Sequence, residues 1–410
     1  MMPRLPTNSP QYSEFPPAEY QRRVARARRE MDTQRIDALL LTAKENLRYF
    51  AGGPLTELFI DTYNTFFLIL PADPAIDAAL IMSCGREGPA CASWVPDKRF
   101  WGYGKTGSVM DQSRSLSLVV DTIAEKGLTK AVIATELDNG LRIGMTIAEF
   151  QQLQEALPNA RFQSAASVVW PVRAIKSELE IEKIRQACRI TCEAFAAAQR
   201  DLRAGMMERE AAAIVRAEMF KRGATGEGFL ALFGGPRGIW ADAIASDYRF
   251  QRGDLIMFDG GCCVDGYYAD VSRMAWVGEP PAADRRLYEL ARQANAEALA
   301  ALKPGAKIKD VHAAGQRAFR TQGAGELLVF GGGQLGHGIG LSIHEQPDMS
   351  ADSEDVLRSG MTIAVEPAIT NKPRWTDSDR FFIVENNVVI TAAGYELLTP
   401  MPDALWIVEP

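Results

Sequence analysis

The sequence predicts an α/β domain followed by an α+β domain, with the boundary near residue 170. Three observations carry that expectation. In the first part, short apolar runs alternate with helical patterns, as in a sheet flanked by helices. The pattern changes around Val169-Trp-Pro-Val-Arg173. Beyond that point helices and strands are mixed rather than alternating, and an Asp265-Gly266 pair between two β-type runs marks an antiparallel hairpin.

Residues 1 to about 16 are Pro-rich and polar and are expected to form an arm. From Pro17 a helix carries Val24, Ala27 and Met31 on one stripe, with an arginine-rich outer face expected to be solvated. Buried strands are expected at Asp37 to Leu41, Thr65 to Leu70, Ala78 to Met82 and Lys130 to Ala134, with a loop-rich stretch holding Trp94 and Trp101. Thr146 with Glu149, and Ser177 with Glu180, have the spacing of capping boxes that open helices. The second helix places Ile181, Ile184, Cys188, Cys192 and Phe195 on one stripe. Helices are expected near 177–202, 207–222, 284–302 and 308–321. Strands are expected near 229–233, 254–263, 267–277, 339–344, 361–368, 381–391 and at the C-terminus. The domains are therefore drawn as 1–170 and 171–410.

The 47% apolar and 24% charged fractions suit a soluble globular chain, and a net charge of −7 argues against nucleic acid or an anionic membrane as partner. The first ten residues hold no apolar h-region, and runs such as Thr65 to Leu70 are far short of a membrane span. Six scattered cysteines without a CxxC pair point to a reduced, cytoplasmic compartment.

The hairpin also poses an electrostatic problem. With Asp265 and Gly266 as the loop, Val264 faces Tyr267 and Asp259 faces Ser272. Alternation then puts Asp259, Gly261, Asp270 and Ser272 on one face, with the two aspartates within about 8 Å. Carboxylates that close repel unless a proton or a cation lies between them. Of the three histidines, His312 falls in a helical pattern and reads as structural. His337 and His344 share the stretch Gly331-Gly-Gly-Gln-Leu-Gly-His-Gly-Ile-Gly-Leu-Ser-Ile-His-Glu-Gln-Pro347, where flanking glycines permit close backbone approach. Those glycines lack the spacing of a phosphate loop. Glu366 and Glu385 sit inside apolar strand runs, a costly place for an ionised carboxylate that is neither paired nor ligated. Each glutamate alone reads as a strand-edge or salt-bridged residue; all of these residues together do not fit that reading.

In that order, Asp259, Asp270, His337, Glu366 and Glu385 resemble the five metal ligands of the pita-bread metallopeptidases: methionine aminopeptidase, aminopeptidase P, prolidase and their relative creatinase. Local contexts match: Gly-Tyr-x-x-Asp-x-Ser-Arg, Gly-His-Gly-Ile-Gly, His-Glu-x-Pro, Val-Glu-Pro and Val-Glu-Asn. Asn46-Leu-Arg-Tyr-Phe-Ala-Gly52 resembles the creatinase/prolidase amino-terminal domain, and Arg173-Ala-Ile-Lys-Ser177 its junction. The resemblance implies a pita-bread catalytic domain and two divalent ions, which would balance four carboxylates. Oxygen ligands with one imidazole suit Mn, Co, Fe or Zn, manganese being the first expectation. It also implies a water-derived nucleophile, Glu366 as proton shuttle, and His344 as stabiliser of the developing oxyanion. A homodimer is implied as well.

Three positions depart from the proline-peptidase pattern. Asp242 stands where a substrate-binding histidine is expected, Gly333 where a further histidine often occurs, and Ile383 where an arginine can bind a substrate carboxylate. Arg237 and Arg380 are candidate substitutes for that arginine. The expected function is hydrolysis of an Xaa-Pro peptide bond or a related small-molecule amide. The alternatives are a creatinase-like amidinohydrolase or metal-dependent lyase acting on a small, cationic metabolite, and a non-catalytic binding module, against which the intact ligand set argues.

Overall fold

The computed structural model describes residues 13–52, 65–102, 113–138, 140–235, 243–373 and 380–409. It divides into two units, Met1–Arg173 and Ala174–Pro410. The first contains α1 (Pro17–Gln34), β1 (Ala38–Leu41), α2 (Lys44–Ala51), β2 (Phe67–Pro71), β3 (Ala79–Ser83), α3 (Glu87–Cys91), β4 (Asp97–Trp101), α4 (Ser113–Glu125), β5 (Val132–Thr135), α5 (Ile147–Ala156), β6 (Arg161–Ser164) and α6 (Ala166–Arg173). Its six strands form one sheet in the order β4-β3-β2-β1-β5-β6. Leu40, Ile69, Ile81 and Ile133 from that sheet pack with Val119 and Ile123 of α4.

Two expectations for this unit are corrected at the described residues. Residues 1–12 of the expected arm lie outside the described residues, but Glu14 and Phe15 are buried. Glu14 pairs with Arg48 of α2, and Phe15 packs on Tyr20 of α1, whose arginine-rich face is only partly solvated. Arg23 is buried, pairs with Glu19 at 3.0 Å and lies over the rings of Phe15 and Tyr49. A guanidinium stacks on aromatic faces while its N–H groups find acceptors, so burial is tolerated.

The second unit begins with α7 (Glu178–Asp201) and α8 (Glu208–Lys221). Then come β7 (Gly226–Gly234), β8 (Leu255–Val264), β9 (Tyr267–Tyr268), β10 (Val271–Val277), α9 (Ala282–Ala301) and α10 (Ile308–Thr321). The remainder is β11 (Gln334–Gly338), β12 (Glu345–Ser350), β13 (Thr362–Val365), β14 (Ala368–Thr370), β15 (Phe381–Ile383), β16 (Asn386–Thr391), β17 (Gly394–Leu397) and β18 (Trp406–Val408). One sheet runs β18-β10-β8-β7, with β9 on β8; another runs β12-β11-β13-β16-β17; β14 and β15 pair separately. Capping boxes at Thr146/Glu149 and Ser177/Glu180 open α5 and α7.

Helix α9 packs into two cores. Ala291 and Ala294 join Met257, Met274 and Phe382, whereas Ala298 and Leu299 join Leu335, Ile363 and Val388. The expected strand at 339–344 is not one. Residues 339–344 form a loop between β11 and β12, because their backbone groups bond within the turn and to the hairpin: Gly340 N to Ser342 O, and Tyr268 N to Gly340 O. Among the described residues, no helix is long and apolar enough to cross a membrane.

Candidate metal centre

Asp265 and Gly266 both take positive φ, +50° and +79°, as a two-residue hairpin loop requires. The register follows: Val264 opposes Tyr267 and Asp259 opposes Ser272. Asp270 lies in the gap between β9 and β10, where the ladder pauses. Glu366 lies in the gap between β13 and β14, and Glu385 in the gap between β15 and β16. Three carboxylates thus occur where strands break, so their side chains are not committed to the alternation of a continuous ladder. His337 is inside β11, opposite Ala364 of β13. Its glycine neighbours are needed for that approach. A Cβ on Gly336 would come within 2.0 Å of Ala364 O, and one on Gly338 within 2.4 Å of Gln346 O.

These elements deliver Asp259, Asp270, His337, His344, Glu366 and Glu385 to one cleft of about 180 Å³. Ligand atoms of Asp270, His337 and Glu385 all lie within 4.8 Å of one another. His337 Nε2 is 3.7 Å from Asp270 Oδ2 and 3.5 Å from Glu366 Oε1. Its Nδ1 lies 3.0 Å from Gly338 O, so it is placed to donate there and leave Nε2 as a lone-pair donor to a cation. Burial, and then the neighbouring His344, push the His337 pKa down to about 4. The ring is therefore neutral at physiological pH. Burial pushes Glu385 well above the carboxylate range, reinforced by the charges of Asp270, Glu366 and Asp259. The rings of His337 and His344 are 4.1 Å apart and tilted, and His344 is exposed.

The residues fit a divalent metal. Glu385 Oε1 is buried and accepts no hydrogen bond among the described residues. An orphaned carboxylate oxygen is costly, and a cation would satisfy it. The donor set is carboxylate oxygens plus one imidazole, without thiolate, which suits hard or borderline divalent ions.

Of the remaining expected site residues, Asp242 and Arg237 lie outside the described residues. Ile383 lines the cleft, beside Phe229, Ile343 and Phe381. Arg380 does not: it pairs with Asp284 at 3.1 Å and lies over Trp276. His312 is buried on α10, with Nε2 2.5 Å from Gly332 O.

The sequence assigned no role to a set of buried amides and charges around the cleft residues, although Arg273, Asn386, Lys176 and Glu345 fall within the motifs quoted above. Asn387 holds Asp270 at both backbone atoms, accepting from its N at 2.9 Å and donating to its O at 2.5 Å. Arg273 donates to Glu385 O at 2.6 Å and to Asn386 Oδ1 at 2.8 Å. Lys176 Nζ pairs with Glu345, the residue after His344, at 3.1 Å. A signal existed for one further member: Asn295 is a lone amide among the alanines 291, 294 and 298 on the buried face of α9.

Comparison with known proteins accounts for both units. Residues 182–392 match Metallopeptidase family M24, and residues 23–175 match the Creatinase/Prolidase N-terminal domain. An Xaa-Pro dipeptidase of Pyrococcus furiosus is 33% identical over 371 residues, covering 90% of this chain and 95% of that protein. An Xaa-Pro dipeptidase structure from Bacillus anthracis superposes with a TM-score of 0.80 at 26% identity, covering 95% of this chain and all of that one (100%). The prolidase structure from Pyrococcus horikoshii gives 0.78 at 27% identity, covering 94% and 99%. The α+β unit that carries the cleft has the pita-bread fold, and the chain belongs to metallopeptidase family M24, with a creatinase/prolidase amino-terminal domain.

Proposed function

We propose that this metallohydrolase cleaves an Xaa-Pro peptide bond or a related small-molecule amide. The observation that carries the reading is the convergence of Asp270, His337 and Glu385 within 4.8 Å in a cleft also lined by Asp259 and Glu366. The relatives named for Xaa-Pro dipeptidase activity support the substrate class.

In this reading Asp259, Asp270, His337, Glu366 and Glu385 hold two divalent ions, manganese first. Such ions, when bound, polarise a carbonyl and make water acidic enough to attack near neutral pH. The chain's own residues do the rest. Glu366 keeps 28% of its side chain exposed against 5% for Asp270, so it is the carboxylate best placed to take a proton and return it to the leaving nitrogen. His344, exposed beside His337, donates to the carbonyl oxygen as negative charge develops there. Phe229, Ile343, Phe381 and Ile383 form an apolar wall for the substituent next to the scissile bond. Asp242 is kept as a substrate-binding residue by its place in the sequence pattern, and Asp242→His is expected to move specificity toward Xaa-Pro peptides. The homodimer rests on the family resemblance, and the cytoplasmic location on six scattered cysteines that form no disulfide among the described residues.

Among the described lining residues there is no lysine or arginine. That favours, as a second reading, a small cationic substrate of a creatinase-like hydrolase or lyase. Metal analysis of the purified protein decides first, followed by turnover of Xaa-Pro dipeptides, longer Xaa-Pro peptides and small amides in the metal found. Hydrolysis of an Xaa-Pro bond that is lost together with metal in His337→Ala supports the proposal. Full activity of that variant with unchanged metal content sinks the ligand assignment, and turnover restricted to a cationic non-peptide supports the second reading.

A further inference from the structure

We infer that Asn295 is a positioning residue that sets the separation of Glu366 and Glu385. The inference rests on the reading of those two as metal ligands. Asn295 is 1% exposed, on α9 between the two cores that this helix serves. Its Nδ2 donates to Val365 O at 2.7 Å and to Val384 O at 3.0 Å. Val365 immediately precedes Glu366, and Val384 immediately precedes Glu385. Its Oδ1 accepts from Asn386 Nδ2 at 2.8 Å, on the residue that follows Glu385.

One amide therefore fastens the peptide links beside both glutamates, and it does so where the strands break. Both donors and one acceptor site of the side chain are used, which fixes its plane. A buried carbonyl at a ladder break needs a donor from somewhere. A structural role would require only that each carbonyl be satisfied. Here a single rigid group satisfies both, so the peptide links that precede the two glutamates are coupled to each other. Outer partners of this kind typically change metal affinity by roughly 10–100-fold when removed.

The test uses the full chain, stripped of metal and titrated with Mn2+. Asn295→Leu keeps the branching at Cγ with somewhat more bulk and removes the donors; Asn295→Ser leaves room for water and serves if the leucine variant does not fold. Leu290→Ala, a cavity on the same helix, is the destabilised control. At a temperature where all are folded, the Asn295 variants are expected to bind manganese at least about tenfold more weakly. They should also lose kcat with KM within about threefold, while the control loses only thermal stability. Manganese affinity and kcat within twofold of wild type in a folded Asn295 variant would overturn the inference. Because manganese binding is read directly, absence of turnover on every substrate would count against the proposed activity and leave this inference tested.

Discussion

Lys176 Nζ lies 3.1 Å from Glu345 Oε2, and each side chain is 1% exposed. Glu345 also accepts from Ser342 N at 3.1 Å, so the pair closes the loop that carries His344. Breaking a buried pair from one side strands the other charge, at a cost of roughly 3–5 kcal/mol. Lys176→Met should therefore lower the melting temperature sharply, whereas Lys176→Met with Glu345→Gln should recover much of the loss. A double variant no more stable than the single one would mean that packing, not charge, is what Lys176 supplies.

Gly336 separates two costs that are often confused. Its φ is +153° and its Cβ position lies 2.0 Å from Ala364 O, a backbone atom that cannot give way. Gly305 also has positive φ, +86°, but nothing lies within 4 Å. Gly305→Ala should cost roughly 1–2 kcal/mol, the strain of a left-handed residue alone. Gly336→Ala should cost several-fold more and release metal, since it pushes β11 and His337 away from β13. Thermal melts and metal content of the two variants check this; equal losses would refute the clash.

That contrast bears on what the sequence could convey. The hairpin register followed from Asp265-Gly266 because turn chemistry is local, and the capping boxes at Thr146 and Ser177 for the same reason. Glu366 and Glu385, which line the cleft, were legible because carboxylates in apolar runs are conspicuous. The loop at 339–344 was not, since its apolar alternation mimics a strand and only contacts with Tyr268 and Ser342 show otherwise. Asn295 and Asn387 were illegible for a related reason: an amide's value depends on which carbonyls it meets across 70 to 117 residues of sequence. Arg23 misled because a stacked arginine and a solvated one share the same helical spacing.

Glu136 is expected to anchor the amino-terminal unit independently of the metal centre. It is buried and accepts from Thr42 N at 2.9 Å, Thr42 Oγ1 at 2.7 Å, Ala43 N at 3.0 Å and Asn46 Nδ2 at 2.8 Å. Ala43 is the N-cap of α2 and has no side-chain cap. Glu136 thus bonds the N-cap amide from a distant strand end, as a capping-box glutamate does locally. Glu136→Ala leaves several buried donors without an acceptor and should cost at least about 3 kcal/mol. The check is calorimetry with metal analysis: the melt should shift while metal stoichiometry holds.

Stripping the metal should make stability depend on pH in a particular direction. Glu385 has a folded-state pKa raised by burial and by three neighbouring carboxylates. The folded state then binds its proton more tightly than the unfolded chain, so stability falls as pH rises above the ordinary value of 4.5 toward the raised one. Divalent ions held by Glu385 would replace that proton and remove the penalty, with proton release on binding. Metal-free protein should therefore melt at lower temperature at pH 8 than at pH 6, with a smaller difference in loaded protein. A metal-free melting temperature that rises over that interval would contradict the clustering of charge.

The cleft's lining also predicts a preference between two versions of one substrate. Ile383 is 3% exposed, paired through β15 with Ala368, and lies beside Phe381 and Phe229. Among the described lining residues the cations are absent and four carboxylates are present. A dipeptide's terminal carboxylate bound here would lose its water without gaining a charged hydrogen bond, an interaction worth about 1.5–3 kcal/mol. That difference corresponds to roughly 10–150-fold in kcat/KM. An Xaa-Pro amide should therefore be cleaved at least about tenfold more efficiently than the free Xaa-Pro acid. Equal efficiency, or preference for the acid, would place a cation at the cleft from outside the described residues, with Arg237 and Arg374 the first to substitute. Loss of dipeptide turnover in one of those variants, with amide turnover retained, would identify it.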